Sequence, residues 1–235
     1  MKIEVLYPEL CNLYGDLMNV EYLARSAGAE VVRTSLKETP RFAGEDIALV
    51  YMGGTTERGQ ELARDAFAPH LEALQKRTEA GDLTLITGNA LEIFGEYIED
   101  EDGTRTPMLG LFQTHADRHY MNRYNSLYLG KFGDINIVGF KSQFGHSYGD
   151  NGTGIFETVR GAGLNPDVKP EGFRVNNLMA TYRLGPLVVL NPPFAKELLK
   201  LMGVQEPTLA HEDAAMDVYN TRLKEFSEPE RGFIY

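Results

Sequence analysis

The sequence contains a single cysteine, Cys11, among its 235 residues, so an internal disulfide is excluded. This is typical of proteins that fold in a reducing cytosol. No apolar run approaches the roughly 20 residues that a membrane-spanning helix needs, and residues 1–10 lack the long apolar segment of a secretion signal. We therefore expect no transmembrane segment and a cytoplasmic location.

Positive charge is also scarce, because 23 Lys and Arg residues stand against 34 Asp and Glu, giving a net charge of −11. A protein that binds a phosphate backbone needs an excess of cationic side chains, so nucleic acid is excluded as the main partner. The chain is long enough to bury a substantial core. Since no repeat, low-complexity tract or linker divides it, we predict a single domain over residues 1–235.

Apolar strands alternate with helical segments over residues 1–100, which predicts an α/β fold with a doubly wound, mostly parallel sheet. Strands are predicted at 2–7, 30–34, 46–52 and 83–87, and helices at 17–27, 57–80 (interrupted near Pro69) and 89–97. The polar stretch 99–107 is predicted to be an insertion or hairpin tip. Additional, partly antiparallel strands are predicted at 108–116, 126–131, 135–142, 154–159 and 178–182, followed by helices at 193–202 and 208–226.

Residues 83–95 combine a buried strand, a tight turn and the start of a helix. Many α/β enzymes place a nucleophile at such a turn, because the bend exposes a side chain above the sheet beside backbone N–H donors. Here the turn offers only Thr87, Gly88 and Asn89. The segment has the shape of an active centre without the expected cysteine or serine.

Four segments stand out in order along the chain. The first spans 7–19 and contains Asn12-Leu13-Tyr14-Gly15-Asp16. The second is the glycine turn at 53–60, the third is the segment 83–95, and the fourth is 180–187. Taken together, they resemble the class I glutamine amidotransferase domain of the cobyric-acid-synthase type, and within it the amidotransferase subunits of lipid II isoglutaminyl synthases. At the fourth segment that family writes Gly-Thr-Tyr-Leu-His-Gly-Pro-Leu. The resemblance implies a flavodoxin-like fold with a central sheet flanked by helices.

The resemblance also implies a mechanism, in which an elbow cysteine attacks the side-chain amide of glutamine and a histidine on a later strand acts as base. Counting back from Gly95 puts Gly88 at the cysteine position, and a one-residue shift puts Thr87 there. The histidine position is Leu184. Because a neutral hydroxyl attacks an amide poorly without a paired base, we predict that no catalytic residue is intact. Losing such a pair normally costs many orders of magnitude in rate.

A remnant ligand site is predicted from family residues that the chain retains. The resemblance gives Arg123 the role of holding the glutamine carboxylate, although isolated arginines are more often solvated surface charges. Glycines at the second segment either supply backbone donors or merely permit a tight turn. Lys141, Ser142 and Gln143 stand where the family has Glu-Asn-His. The predicted remnant consists of Gly53, Gly54, Arg58, Asn89 and Arg123, and its ligand is a small carboxylate or glutamine.

No metal or other cofactor is predicted. His115 and His119, with Asp117 between them, are spaced so that they share one face of a helix or a strand, but surface histidines explain that spacing more simply. His146 lies in the glycine-rich run 145–154, which lacks the lysine and helix start of a phosphate loop and is interpreted as a turn. Cys11 is predicted to be a small buried apolar group.

Three functions remain open. We favour a non-catalytic amidotransferase-like subunit with a Mur-ligase-like ATP-dependent partner, acting in amidation of a cell-wall precursor or in a related corrinoid-type amidation. The second is an active glutaminase that delivers ammonia to that partner through a non-standard nucleophile, Cys11 or Thr87. The third is a stand-alone small-molecule sensor that keeps the carboxylate clamp.

Overall fold

A computed structural model describes residues 1–150 and 153–233. Its strands are β1 (Lys2–Leu6), β2 (Glu30–Thr34), β3 (Leu49–Met52), β4 (Leu83–Thr87), β5 (Tyr97–Asp100), β6 (Arg105–Pro107), β7 (Thr114–Arg118), β8 (Tyr124–Phe132), β9 (Ile135–Gln143), β10 (Gly145–Gly149), β11 (Phe156–Arg160), β12 (Pro170–Glu171), β13 (Phe173–Val175) and β14 (Leu178–Thr181). Its helices are α1 (Met18–Ala27), α2 (Glu57–Phe67), α3 (Leu71–Ala80), α4 (Leu187–Leu190), α5 (Pro192–Leu201) and α6 (Glu212–Ser227), with 3-10 turns at Leu13–Gly15, Arg41–Ala43, Ala68–His70 and Gly88–Phe94. None of these helices is long and apolar enough to cross a bilayer.

The central sheet has the strand order β13-β14-β4-β3-β1-β2. All neighbouring pairs are parallel except β13 with β14. Every residue of β3, β4 and β14 is buried, as expected of parallel strands that helices cover on both faces. The order of the parallel strands is that of a flavodoxin-like sheet, which confirms the predicted fold class.

Helix α1 shows why the flanking helices form where they do. Its buried side chains include Val20, Leu23 and Ala24, spaced three and four apart along one face. Gly28 then ends the helix in the left-handed conformation, with φ of 60°. At α2, the Thr56 hydroxyl caps the helix by accepting a hydrogen bond from the Gly59 N–H at 3.1 Å. These two helices begin just after the turns that enclose the candidate site.

Two smaller sheets, ordered β10-β7-β5-β6 and β12-β11-β8-β9, follow in the second half. Their pairs are antiparallel apart from β5 with β7. The predicted additional antiparallel strands are therefore confirmed. An isolated bridge between Phe140 and Leu184 joins β9 to the segment that follows β14.

Several predicted boundaries are wrong. The helix predicted at 89–97 is a 3-10 turn, Gly88–Phe94, which ends before β5 begins. The glycine-rich run at 145–154 begins with β10 rather than a turn, because pairing with β7 overrides the local preference of glycine; residues 151 and 152 of that run lie outside the described residues. The strand predicted at 108–116 starts only at Thr114. The last helix, predicted to start at 208, begins at Glu212.

Arg160 holds the segment after α6 against β11. Its guanidinium donates to the backbone carbonyls of Phe226 at 2.8 Å, Glu228 at 2.6 Å and Arg231 at 2.6 Å. It also lies 4.2 Å from the ring centroid of Phe233. Backbone carbonyls and an aromatic face therefore hold the guanidinium, which fixes the segment from Phe226 to Phe233 to the third sheet.

Asn191 fixes β9 beside the segment that carries Leu184. Its buried amide bonds both backbone groups of Val138, as the backbone of a neighbouring strand would. It accepts from the Val138 N–H at 2.8 Å and donates to the Val138 carbonyl at 2.8 Å. The same Nδ2 donates to the Leu187 carbonyl at 2.7 Å. Together with the bridge between Phe140 and Leu184, this side chain holds β9 beside the candidate site.

We expect Asn191→Ala to lower the free energy of unfolding by about 2–3 kcal/mol, because it leaves buried backbone groups of Val138 and Leu187 without partners. Chemical denaturation of both proteins measures this difference. The control is Asn220→Ala on the exposed face of α6, which should change stability by less than about 0.5 kcal/mol. Equal effects at the two positions would contradict the role given to Asn191.

Candidate functional site

A cavity of about 330 Å³ opens at the carboxyl edge of the central sheet, where β3 and β4 end. Ligands commonly bind at this edge of open α/β sheets. The cavity brings together the predicted positions Gly54, Gly88, Asn89, Arg123 and Leu184. Gly53 and Arg58 are not among the residues that line it.

Gly88 occupies the bend at the base of this cavity. Its φ is +63°, a left-handed conformation that glycine adopts without strain and that a nucleophile turn requires. A Cβ atom at this position would lie 3.0 Å from the Gly54 Cα and 3.3 Å from the Leu184 Cδ2. The two residues at the predicted nucleophile and base positions therefore face each other, and neither carries a reactive group.

Thr87, the other candidate for the nucleophile position, lies below the cavity at the end of β4. It is fully buried, and its Oγ1 donates to Asp16 Oδ2 at 2.7 Å. The same Oγ1 is 2.7 Å from the Tyr51 hydroxyl. Sequence reasoning found no base near this threonine, whereas the structure places a carboxylate next to it. Since Thr87 does not line the cavity, its hydroxyl acts here as a structural hydrogen-bonding group.

Asp16 joins the turn after β1 to the ends of β3 and β4. Besides Thr87, its Oδ2 accepts a hydrogen bond from the Gly54 N–H at 3.3 Å, and its backbone carbonyl accepts from the Tyr51 hydroxyl at 3.1 Å. Burial raises the pKa of Asp16 to about 6, although the hydrogen bonds from Thr87 and Gly54 oppose that rise. Sequence reasoning noted Asp16 only as part of the first family segment.

The buried Asp16 carboxyl makes stability depend on pH. Its pKa is about 6 in the folded protein against a usual value of 3.8, so the folded state binds more protons between these values. The contribution of Asp16 should therefore fall by about 3 kcal/mol as the pH rises from about 4 to about 7, and then stay constant. Unfolding free energies of wild type and Asp16→Asn, measured across that range, isolate this contribution. A difference between the two proteins that does not change with pH would contradict it.

A second buried carboxylate, Glu92, forms the polar wall of the cavity. Its Oε2 accepts from Gln60 Nε2 at 2.7 Å, and its Oε1 accepts from the Tyr182 hydroxyl at 2.8 Å. Arg118 Nη2 donates to Gln60 Oε1 at 2.6 Å, so Gln60 connects Arg118 to Glu92. Burial raises the pKa of Glu92, while Gln60, Tyr182 and the charge of Arg118 oppose this. Sequence reasoning missed Glu92 and Arg118, because no spacing rule links the elbow to β7.

Arg123 lies at the mouth of the cavity, where it bridges two parts of the chain. Its Nη1 donates to the Tyr14 hydroxyl at 2.7 Å and to Ser142 Oγ at 3.3 Å. Its guanidinium carbon is 4.3 Å from the ring centroid of Phe144. The side chain predicted to hold a carboxylate is thus placed to meet an entering ligand, although its Nη1 already donates a hydrogen bond to the Tyr14 hydroxyl.

The other predicted remnant residues have mainly structural contacts. Asn89 exchanges two hydrogen bonds with the backbone of Thr55, at 2.9 Å and 2.8 Å, which fixes the loop after β3 onto the elbow. At Gly53, a Cβ atom would lie 2.7 Å from the Cys11 carbonyl oxygen, so close backbone approach requires glycine. Arg58 is exposed on α2.

No cysteine or histidine lines the cavity within residues 1–150 and 153–233. Cys11 is fully buried in an apolar cluster, and burial raises the pKa of its thiol to about 12. His115 stacks on Tyr97 on the second sheet, with ring centroids 4.9 Å apart. The only thiol of the sequence is therefore neither exposed to the cavity nor ionised at neutral pH.

The fold and the elbow define the class, an α/β domain with the architecture of class I glutamine amidotransferases. The chain is similar to PurLQS from Thermotoga maritima, with a TM-score of 0.56 and 15% identity over 86% of this chain and 96% of that one. It is also similar to a glutamine amidotransferase from the same organism, with a TM-score of 0.53 and 9% identity over 96% and 91% of the two chains. At these identities the likeness concerns the fold alone.

Sequence comparison identifies the family within this class. The pattern of the CobB/CobQ-like glutamine amidotransferase domain matches residues 2–188, and the chain belongs to that family. It is similar to the lipid II isoglutaminyl synthase (glutamine-hydrolyzing) subunit GatD of Staphylococcus aureus, with 27% identity over 80% of this chain and 79% of that protein. The subunit of the same name from Streptococcus pneumoniae is 24% identical over 85% and 79% of the two chains. The resemblance found in the sequence is confirmed.

Proposed function

We propose that the chain is a GatD-like subunit that does not hydrolyse glutamine and that works in the cytoplasm with a Mur-ligase-like ATP-dependent partner in amidation of a cell-wall precursor. The observation that carries this proposal is that Gly88 and Leu184 face each other at the elbow, where a Cβ atom at position 88 would lie 3.3 Å from the Leu184 Cδ2. The names of the GatD relatives supply the setting of lipid II amidation.

Hydrolysis of an amide needs an activated nucleophile and a group that transfers its proton. At the elbow, Gly88 supplies no side chain, and Leu184 places an apolar group where an imidazole would be needed. The buried thiol of Cys11 belongs to the apolar core. Hydrolases that have lost their catalytic groups keep a rate enhancement of only roughly 10³–10⁴-fold over water, from binding and backbone donors, which is far below that of an intact enzyme.

The cavity nevertheless supports a binding role. Its volume of about 330 Å³ lies at the lower end of the range for small-molecule sites. Glu92 and Arg118 present both signs of charge on its wall, and Arg123 adds a positive charge at its mouth. A small ligand that carries a carboxylate fits this arrangement.

The purified chain should release no ammonia from glutamine above the buffer rate, whether alone or with the Mur-ligase-like subunit. The complex should instead amidate its acceptor when ammonium is supplied, because the partner then receives its nitrogen from solution. A coupled ammonia assay and mass spectrometry of the acceptor measure the two steps. Glutamine-dependent amidation would contradict the proposal that the chain does not hydrolyse glutamine. Failure of the two proteins to co-purify would contradict the proposed partner.

One observation favours a second candidate function, a glutaminase that uses Thr87. The Thr87 Oγ1 donates to Asp16 Oδ2 at 2.7 Å, which is the geometry of a hydroxyl paired with a base. Against it stand the full burial of Thr87 and its absence from the cavity lining. If ammonia release is found, its loss in Thr87→Ala but not in Cys11→Ala would establish this candidate.

The elbow geometry also allows a test by gain of function. We expect the double substitution Gly88→Cys with Leu184→His to release ammonia from glutamine at least about 100-fold faster than wild type, since a thiol and an imidazole would then meet. Gly88→Cys alone should stay near the wild-type rate, because it lacks a base and its Cβ contacts Leu184. Leu184→His alone is the matched control for the imidazole. Equal rates in the double and single variants would show that the cavity is not a former amidase site.

A further inference from the structure

Arg123 lies between two cavities. One is the cavity at the Gly88 bend, here called the elbow cavity, and the second has a volume of about 360 Å³. Phe144 also lines both cavities, and its ring covers one face of the Arg123 guanidinium, with the guanidinium carbon 4.3 Å from the ring centroid. The other residues that line the second cavity are His119, Asn122, Tyr124 and His146.

The Arg123 guanidinium is held at one corner, which leaves one edge free. Its Nη1 donates to the Tyr14 hydroxyl at 2.7 Å and to Ser142 Oγ at 3.3 Å, and both of these residues line the elbow cavity but not the second cavity. In a planar guanidinium, Nε and Nη2 form the edge opposite Nη1. Within residues 1–150 and 153–233, neither of these two nitrogens has a hydrogen-bond partner. The free edge is therefore directed away from the elbow cavity and towards the second one.

His146 supplies a further hydrogen-bond donor to the second cavity. The buried Lys141 Nζ lies 3.1 Å from His146 Nδ1, 3.2 Å from the Gly163 carbonyl and 3.0 Å from the Leu164 carbonyl. These three acceptors match the three N–H groups of an ammonium, so Nδ1 accepts and the ring carries its proton on Nε2. Burial and the charge of Lys141 lower the pKa of His146 to about 4, so the ring is neutral near pH 7.

The imidazole of His146 is also fixed in position before any ligand arrives. The Tyr124 ring meets it edge to face, with ring centroids 4.9 Å apart. The backbone N–H of His146 donates to Asp117 Oδ1 at 2.9 Å. A donor that is held by its neighbours in this way loses little conformational freedom when a ligand binds, which favours affinity.

The charges around the second cavity indicate the charge of its ligand. Among the residues that the structure describes, no carboxylate lines this cavity, and Arg123 brings one fixed positive charge. His119 adds no net charge, because Asp117 Oδ2 at 3.3 Å and Glu101 Oε1 at 3.6 Å flank its ring. A carboxylate carries a single negative charge, and its two oxygens match two parallel N–H groups of a guanidinium. A phosphate dianion would exceed the positive charge available.

We propose that the second cavity is a carboxylate-binding site, in which Nε and Nη2 of Arg123 bind the two oxygens of the ligand and His146 donates to one of them. This site is separate from the elbow cavity, where the family resemblance would place the carboxylate of glutamine. The inference goes beyond the proposed function, since it does not depend on whether the elbow hydrolyses glutamine. Ammonia release tests the elbow, and carboxylate binding tests the second cavity.

Titration of acetate into the ¹⁵N-labelled protein at pH 7 tests this site through the NMR shifts of Arg123 Nε and the His146 ring nitrogens. We expect saturable shifts of both side chains with acetate and none with acetamide, which has a similar shape but no charge. His146→Phe should weaken acetate binding about 5–10-fold, because its ring can still pack on Tyr124 but donates no hydrogen bond.

Arg58→Met is the matched control, since Arg58 is exposed and lines neither cavity, and it should bind acetate as wild type does. Arg123→Met should lose binding. If His146→Phe does not fold, a wild-type crystal soaked in sodium acetate decides, with acetate expected between Arg123 and His146. Acetate found in the elbow cavity instead, binding that His146→Phe leaves unchanged, tighter binding of phosphate than of acetate, or no saturable shift would each overturn the proposal.

Discussion

The carboxylate of Asp16 is the constraint on which the candidate site depends. It is buried beneath the elbow and binds the Thr87 hydroxyl at the end of β4 and the Gly54 N–H after β3. Three chain segments that are far apart in sequence meet at this one side chain. Moving the carboxylate charge out of water opposes folding. The same desolvation raises the pKa of Asp16. The Tyr51 hydroxyl adds to this junction through the Asp16 carbonyl and the Thr87 Oγ1, so the loops around the cavity share one buried polar cluster.

The cavity has no cysteine or histidine in its lining among the described residues, yet the elbow keeps its bend. Gly88 keeps the left-handed bend, and Asn89 still holds the Thr55 backbone with two hydrogen bonds. These contacts are made by backbone atoms and an amide side chain, so they do not require a thiol at the bend. The form of the cavity therefore does not depend on the side chain at the bend, and the architecture alone does not determine the function.

The sequence predicted the central sheet well, because fully buried parallel strands such as β3 and β4 have continuous apolar runs that need no tertiary context. It did not predict β10, whose glycines favour a turn until β7 pairs with them. Within the site, family motifs located Gly88 and Leu184. Glu92 and Arg118 were missed because their proximity arises from packing between the elbow and the second sheet, and local spacing carries no signal of such contacts.

The proximity of Gly88 and Leu184 has a consequence for how substitutions at the two positions combine. A thiol introduced at the bend meets the Leu184 methyl group, while an imidazole introduced at position 184 finds only a hydrogen atom opposite. Each single substitution supplies one of the two groups without the other, and the first also adds crowding at the bend. Positions 88 and 184 are therefore coupled, so that the effect of a substitution at one of them depends on the residue at the other.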